Sequence, residues 1–195
     1  MKIIHVGLAI GLVLFCTGPL AAQNDHKPYE VETGTVSMRM EMLGVTLSIT
    51  IQFDDYGRRQ LTRLRGNAQG RTVSLNVLET RKYHLMWDDN TKRGDRRKIA
   101  GPPTGPLSLV SGLNLTAPRT PVDSTRSILG RECSGESSAD GGVSAEFWRW
   151  KGIPLYVLVR GDNADVTFEA VKLDVATPLT SEAFDVPDDV TIIDQ

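Results

Sequence analysis

Cys133 and His84 are the residues whose types could supply a nucleophile and its base. Cys133 sits in SILGRECSGE, Ser127 to Glu136. A thiolate attacks well when an imidazole takes its proton, but nothing around either residue supports that pairing. The sequence holds no C-x-x-C, no H-E-x-x-H and no G-x-S-x-G. His84 lies between Tyr83 and Leu85 and reads as an exposed polar residue of a strand. His26 belongs to the polar run QNDHKPYE. The stretch DDNTKRGD, 88–95, begins like a calcium loop, yet Lys92 falls at the fifth position and Gly94 at the seventh. Such a loop wants an oxygen ligand and then glycine at the fifth and sixth. DNAD, 162–165, reads as a turn in which Asx side chains bond their own backbone. No metal, cofactor or enzymatic activity is expected. A hydrolase using carboxylates such as Asp162 and Asp165 is the third of three functional readings.

Binding is the chemistry better served by these residue types. Met38, Met40 and Met42 share one face of a single strand. Thioethers are flexible and polarisable and suit adaptable apolar surfaces. Val36, Leu47, Ile49 and Ile51 would extend that face, with Trp148 and Trp150 as further candidates. The competing reading is ordinary core packing. Arg81, Lys82, Lys92, Arg93, Arg96, Arg97 and Lys98 form a basic cluster, interleaved with Glu79, Asp88, Asp89 and Asp95. It suits either an anion or lipid headgroup, or a solvated hairpin whose charges keep a sheet edge from aggregating.

The elements that must position these residues are strands. In TVSMRMEML and GVTLSITIQF apolar and polar residues alternate strictly, the period of a sheet with one buried face. Leu43-Gly44 joins the two as a tight hairpin. A third strand is expected over 59–65, a fourth around Val73–Val77 and a fifth around Tyr83–Trp87. The segment from 88 to 98 is polar and charged, AGPPTGP is a loop, and 107–115 suggests a short helix or irregular plug. TAPRTPVDS, 116–124, reads as a Pro-bearing connection. Strands resume at 128–136, 143–150, 154–160 and 166–175, and the tail ends in a short β-prone piece. That makes about nine strands, no long amphipathic helix and no internal repeat. The expected fold is mainly β: one strongly curved antiparallel sheet, a half-barrel, with one short helix or loop plug.

The N-terminus reads as a secretory signal peptide over 1–22. Lys2 precedes the apolar run IIHVGLAIGLVLF, and small residues lead to a cleavage site after Ala22. Cys16 offers the rival reading of a lipidated anchor, although Phe15 before it is bulky for such a site. Residues 23–30 read as a flexible leader and 31–195 as one domain. The expected location is periplasmic or secreted. With 22 Lys+Arg against 24 Asp+Glu, net −2, the chain does not favour a nucleic-acid partner, whose phosphates reward positive charge. Once Cys16 is cleaved, Cys133 has no intramolecular partner. It then reads as a small buried apolar residue, or as a free thiol for another molecule.

The last third carries a recognisable order. Ile128-Leu129-Gly130 precedes Cys133, Gly152-Ile153-Pro154-Leu155 opens a strand, and Phe184 to Pro187 closes the pattern. From Ser127 on, the chain resembles exported half-barrel proteins of the outer-membrane lipoprotein carrier (Lol-type) superfamily, nearest to an uncharacterised branch. The resemblance implies a curved antiparallel sheet whose concave side is plugged by helices and, in the carriers, holds acyl chains. No residue here matches a carrier's ligand contact, so lipoprotein transport is not carried over. The expected function is a non-enzymatic periplasmic protein binding an apolar ligand, a lipid or acyl chain, on the concave face. The alternative is a structural or protein-interaction module of the cell envelope with a filled core.

Overall fold

The computed structural model describes residues 27–98, 118–140, 142–161 and 165–195. Within them run twelve strands: β1 (Gly34–Met42), β2 (Val45–Asp54), β3 (Arg59–Ala68), β4 (Arg71–Glu79), β5 (Tyr83–Asp88), β6 (Arg93–Lys98), β7 (Thr120–Ile128), β8 (Arg131–Asp140), β9 (Val143–Trp150), β10 (Ile153–Arg160), β11 (Asp165–Asp174) and β12 (Thr191–Asp194). They form one open sheet in the order β12-β6-β5-β4-β3-β2-β1-β11-β10-β9-β8-β7. Every neighbouring pair is antiparallel except β12 with β6, which is parallel. The mainly-β, single-sheet expectation is met, and the sheet does not close into a barrel.

Four hairpins turn on a residue followed by glycine: Leu43-Gly44, Gln69-Gly70, Leu129-Gly130 and Lys151-Gly152. In each, both residues have φ between 50° and 79°. Two positive φ values give the turn whose twist matches the twist of the flanking strands.

Three expectations about elements need correction. Residues 128–136 are not one strand: Leu129-Gly130 is the tip of the β7–β8 hairpin, and β7 takes up most of the expected Pro-bearing connection. The charged stretch holds β6, because its charges lie at a sheet margin where water reaches them. Of the expected leader, residues 27–30 are described, and their backbone is anchored to the sheet turns. Tyr29 is buried there; its backbone N–H donates to Tyr56 O at 2.9 Å, and that of Glu30 donates to Lys151 O at 3.1 Å. The plug expected over 107–115, the signal peptide and Cys16 lie outside the described residues.

The register defines the two faces. Residues directly opposite one another share a face, so Met40, Phe168, Val157 and Phe147 form one continuous row across β1, β11, β10 and β9. Arg149 has the parity of Phe147. On the other flank Phe53, Gln60, Glu79 and His84 align across β2 to β5, on the face of Ile51 and Ile49. Glu79 on β4 and Arg149 on β9 are six strand steps apart, roughly 29 Å in a flat sheet at about 4.8 Å per step. Residues 28–30 nevertheless reach both flanks: the Tyr29 hydroxyl donates to Gln60 Oε1 on β3, Glu30 N–H donates to Lys151 O in the β9–β10 turn, and a Cβ at Gly152 would lie 2.3 Å from Pro28 O. The sheet therefore curls toward this face, and it is the inner one.

Two apolar clusters result. The larger joins β1, β2 and β8–β11, with Phe53, Phe147, Phe168, Ile153, Leu155 and Val157 wholly buried. The smaller lies on the outer face of β3–β5. There Leu61, Leu78 and Leu85 align and meet Trp87, and the C-terminal tail covers them with Phe184, Leu179, Val186 and Ile192. The tail turns once at Ser181–Phe184 and ends as β12 beside β6. Gly94 permits that approach: a Cβ there would lie 2.9 Å from Ile192 Cδ1 and 2.4 Å from Met86 O.

Candidate functional site

The β1–β2 register places Met38 opposite Ile49, Met40 opposite Leu47, and Val36 opposite Ile51. All six are buried in the larger cluster on the inner face, and Met42, partly buried, packs against it. The methionine strand lies near the middle of the sheet, between β2 and β11. The β1–β11 register slips between Ser37 and Met38, leaving Val171 as an extra residue, 54% exposed. That bulge lets β11 bend away from β1 and adds local twist.

Trp148 and Trp150 do not join this face. Trp148 stands opposite Tyr156, which stands opposite Glu169 and then Arg39, the exposed ion-paired row of the outer face. The two tryptophans do share a face with each other, but it is the outer one. Alternation within a strand fixes which residues go together; it does not say which side they take. Trp148 covers Gly135, where a Cβ would meet its ring at 3.0 Å. Trp150 lies under the Arg131 guanidinium at 4.1 Å. Cys133, of the same parity as Gly135 and Arg131, is wholly buried beside them. Its Sγ sits 3.5 Å from Arg131 O, and burial pushes its thiol pKa up.

The inner face also carries polar groups that the sequence did not single out. His84 is buried, contrary to expectation, because Tyr83, Leu85 and Trp87 take the outer face under the tail and turn the imidazole inward. Its Nδ1 lies 3.6 Å from Glu79 Oε1. The Tyr29 hydroxyl donates to Gln60 Oε1 at 3.0 Å, and Gln60 Nε2 donates to Gly57 O at 2.8 Å. The Tyr29 ring meets Phe53 edge-on at 4.7 Å. Burial pushes the Tyr29 pKa well up, against the lowering effect of Arg149. Thr62, flanked by Ile51 and Val77, has a buried hydroxyl with no hydrogen-bond partner among the described residues. Across the curl, Arg149 Nη1 bonds Glu136 Oε2, and Arg119 Nη1 approaches the same oxygen at 3.6 Å. Both guanidiniums lie over the Phe147 ring, at 5.0 and 4.7 Å from its centroid. Burial and the Arg119 charge push the Arg149 pKa down, with Glu136 opposing. The readable signal for this group was Arg149 in EFWRW, in phase with Phe147.

The basic cluster is largely a solvated margin. Arg96 is held by Asp194 at 2.6 and 2.9 Å, and Lys92 by Asp189 at 3.0 Å, so the tail supplies both counter-charges. Two open clefts, of about 420 and 450 Å³, share Lys82 and Tyr83. None of the apolar candidate residues lines either one. Among the described residues no group of three or more His, Cys, Asp or Glu side chains could hold a metal ion.

No family model and no curated protein matches this sequence. Among solved structures, an uncharacterised conserved protein from Thermus thermophilus is similar at a TM-score of 0.57 and 10% identity, over 85% of this chain and 92% of that one. PNGF-II is similar at 0.55 and 12% identity, over 84% of this chain; this chain spans about a third (32%) of that protein. MucB, solved in complex with MucA(peri), is a looser match at 0.48 and 12% identity, over 86% of this chain and 57% of that one. At these identities the likenesses to the Thermus protein and PNGF-II show a shared fold and nothing about chemistry.

Proposed function

We propose that this chain is a non-enzymatic envelope protein that holds an apolar ligand, a lipid or acyl chain, on the inner face of its half-barrel. One observation carries the reading. Met38, Met40, Leu47, Ile49, Ile51 and Phe168 form a continuous apolar face of an open, curled sheet, with methionines at its centre. Methionine is the residue that repacks most readily around ligands of varied shape. Two sequence features agree with the reading: the signal-peptide pattern over 1–22 and the Lol-type order of motifs from Ile128 to Pro187. Native mass spectrometry of the protein purified from an envelope fraction tests it. A bound species released by organic solvent is expected, together with saturable uptake of a fluorescent fatty acid by the stripped protein. Clean ligand-free mass and no uptake would overturn it.

The protein-interaction alternative has one observation of its own. β7 is an edge strand, and most of its residues, including Asp123 to Ser127, are exposed. Unpaired edge N–H and C=O groups can template a partner strand. Recovery of one stoichiometric partner from envelope extract, lost on Thr125→Pro, would favour that reading.

A further inference from the structure

The outer face of β7–β10 carries cations stacked on aromatic rings toward one end of the sheet. The Arg126 guanidinium lies 4.1 Å from the Tyr156 ring centroid, that of Arg131 4.1 Å from Trp150, and Lys151 Nζ 5.0 Å from the same Trp150 ring. The register puts the group on one side: Arg126 stands opposite Cys133, Gly135 opposite Trp148, and Trp148 opposite Tyr156. The β7–β8 and β9–β10 hairpins turn at the same end, so Leu129 and Lys151 stand at the rim of this patch. All of it reaches water. Arg126 and Lys151 are exposed, Arg131, Trp150 and Tyr156 are partly exposed, and Leu129 at its hairpin tip is 44% exposed. The acids on the same face have partners of their own: Glu146 accepts from Trp148 Nε1, and Glu169 pairs with Arg39 at 2.9 Å. Glu132 has the parity of Glu136, which takes the inner face.

Two kinds of attraction are therefore offered side by side. A guanidinium laid flat on a ring keeps its N–H edges free to meet phosphate oxygens. A tryptophan at a wet surface, with a leucine at a neighbouring turn, offers apolar area that a dissolved anion has no use for. Aromatic rings with a polar handle, flanked by Lys and Arg, are the combination that settles at the boundary between lipid and water. We propose that this patch seats the protein on an anionic bilayer surface, with Arg126, Arg131 and Lys151 meeting lipid phosphates and Trp150 and Leu129 entering the interfacial zone. The inference goes beyond the ligand reading and holds whether or not the inner face takes up a lipid.

Flotation of the purified protein with vesicles tests it, comparing phosphatidylcholine alone with phosphatidylcholine mixed equally with phosphatidylglycerol. Binding to the anionic vesicles should be at least about tenfold the stronger, and high salt should narrow the gap, since surface ion contacts are screened. Arg126→Gln, Arg131→Gln and Lys151→Gln should each weaken anionic binding about fivefold, the weight of one basic residue at a charged bilayer. Lys151 lies on an exposed turn, so its variant carries the test if an arginine variant does not fold. Lys82→Gln with Lys98→Gln, on the opposite flank of the sheet, should change nothing. Brominated phosphatidylcholine in the anionic vesicles should quench tryptophan emission. Trp150→Phe should remove most of that quenching, whereas Trp87→Phe, at a buried position, should not. Equal binding to the two kinds of vesicle, no binding to either, or an equal loss in the Lys82 and Lys98 variant would overturn the proposal. Capture by soluble heparin without quenching by the brominated lipid would overturn it too, in favour of a dissolved polyanion. None of these outcomes touches the apolar-ligand reading, which is tested by uptake in solution without vesicles.

Discussion

Tyr29 ties the β2–β3 turn to a buried polar row and packs on Phe53, so its loss should be felt in more than one way. Tyr29→Phe removes the hydrogen bond to Gln60 and leaves that carbonyl unsatisfied, a cost of about 1–2 kcal/mol in a urea melt. Tyr29→Ala also vacates the space against Phe53 and should cost about 3–5 kcal/mol. The pH dependence has a definite sign. Burial raises the folded-state pKa of Tyr29 above its unfolded value, so its contribution is fully present below about pH 10, the ordinary tyrosine value, and is lost as pH rises beyond it. The alkaline fall in stability should therefore be shallower in Tyr29→Phe. Cys133, buried and with a raised pKa, should react slowly with iodoacetamide in native protein and quickly in urea, as read by peptide mass mapping. Fast native labelling would contradict its place under the outer-face aromatics. Tyr29 was hidden in the sequence inside a polar run with no periodicity. The importance of a lone aromatic there comes from partners at positions 53, 60 and 149, which local pattern cannot supply.

Among the elements, the C-terminal tail has the clearest separable role. Phe184 is buried against the outer face, with the Arg59 guanidinium 4.3 Å from its ring centroid, and Arg63 donates to Ala183 O at 2.9 Å. Phe184→Ala should cost about 3–5 kcal/mol and uncover Leu61, Leu78 and Trp87, seen as increased binding of an apolar dye. A variant with unchanged melting and no dye binding would show that the tail is dispensable. The alternation of β1 and β2 was plain in the sequence because each buries one face and leaves the other largely wet. β6 was not plain, since a margin strand needs few apolar residues. β7 was masked by Pro121 and its exposed composition. The face chosen by β5 was equally unreadable: its apolar parity faces outward because the tail returns over it, and that return is a contact across roughly a hundred positions. The same uncertainty put Trp148 and Trp150 on the opposite side of the sheet from the methionines, though in the same apolar cluster, while Met38 and Met40 share a face with Ile49 and Leu47.

At the scale of the molecule, the open sheet leaves an inner face apolar at its centre, with the Gln60–Glu79–His84 row at one flank and Arg149, Arg119 and Glu136 at the other. The half-barrel class was legible because about nine short strand candidates with too little helix have few other solutions. The closure device was not. Adjacent residues 29 and 30 bond the β2–β3 turn and the β9–β10 turn respectively, fastening the two halves at one end.

The strand order also has a kinetic consequence. β1 to β6 pair only with sequence neighbours, apart from β12 on β6, and so do β7 to β11. Within the sheet the two arrays meet along the β1–β11 seam, which pairs residues far apart in the chain such as Thr35 and Asp174, and the C-terminal tail with β12 then returns over the first array. Hairpins close quickly, whereas contacts of long sequence separation are slow. Each meander should therefore assemble on its own and the seam should zip last. In stopped-flow refolding, Ala170→Gly at the seam should accelerate unfolding with little change in folding rate. Disturbing the Leu43-Gly44 turn should slow folding instead. If the seam substitution slowed folding as much as the turn substitution, the two arrays would not be independent folding units.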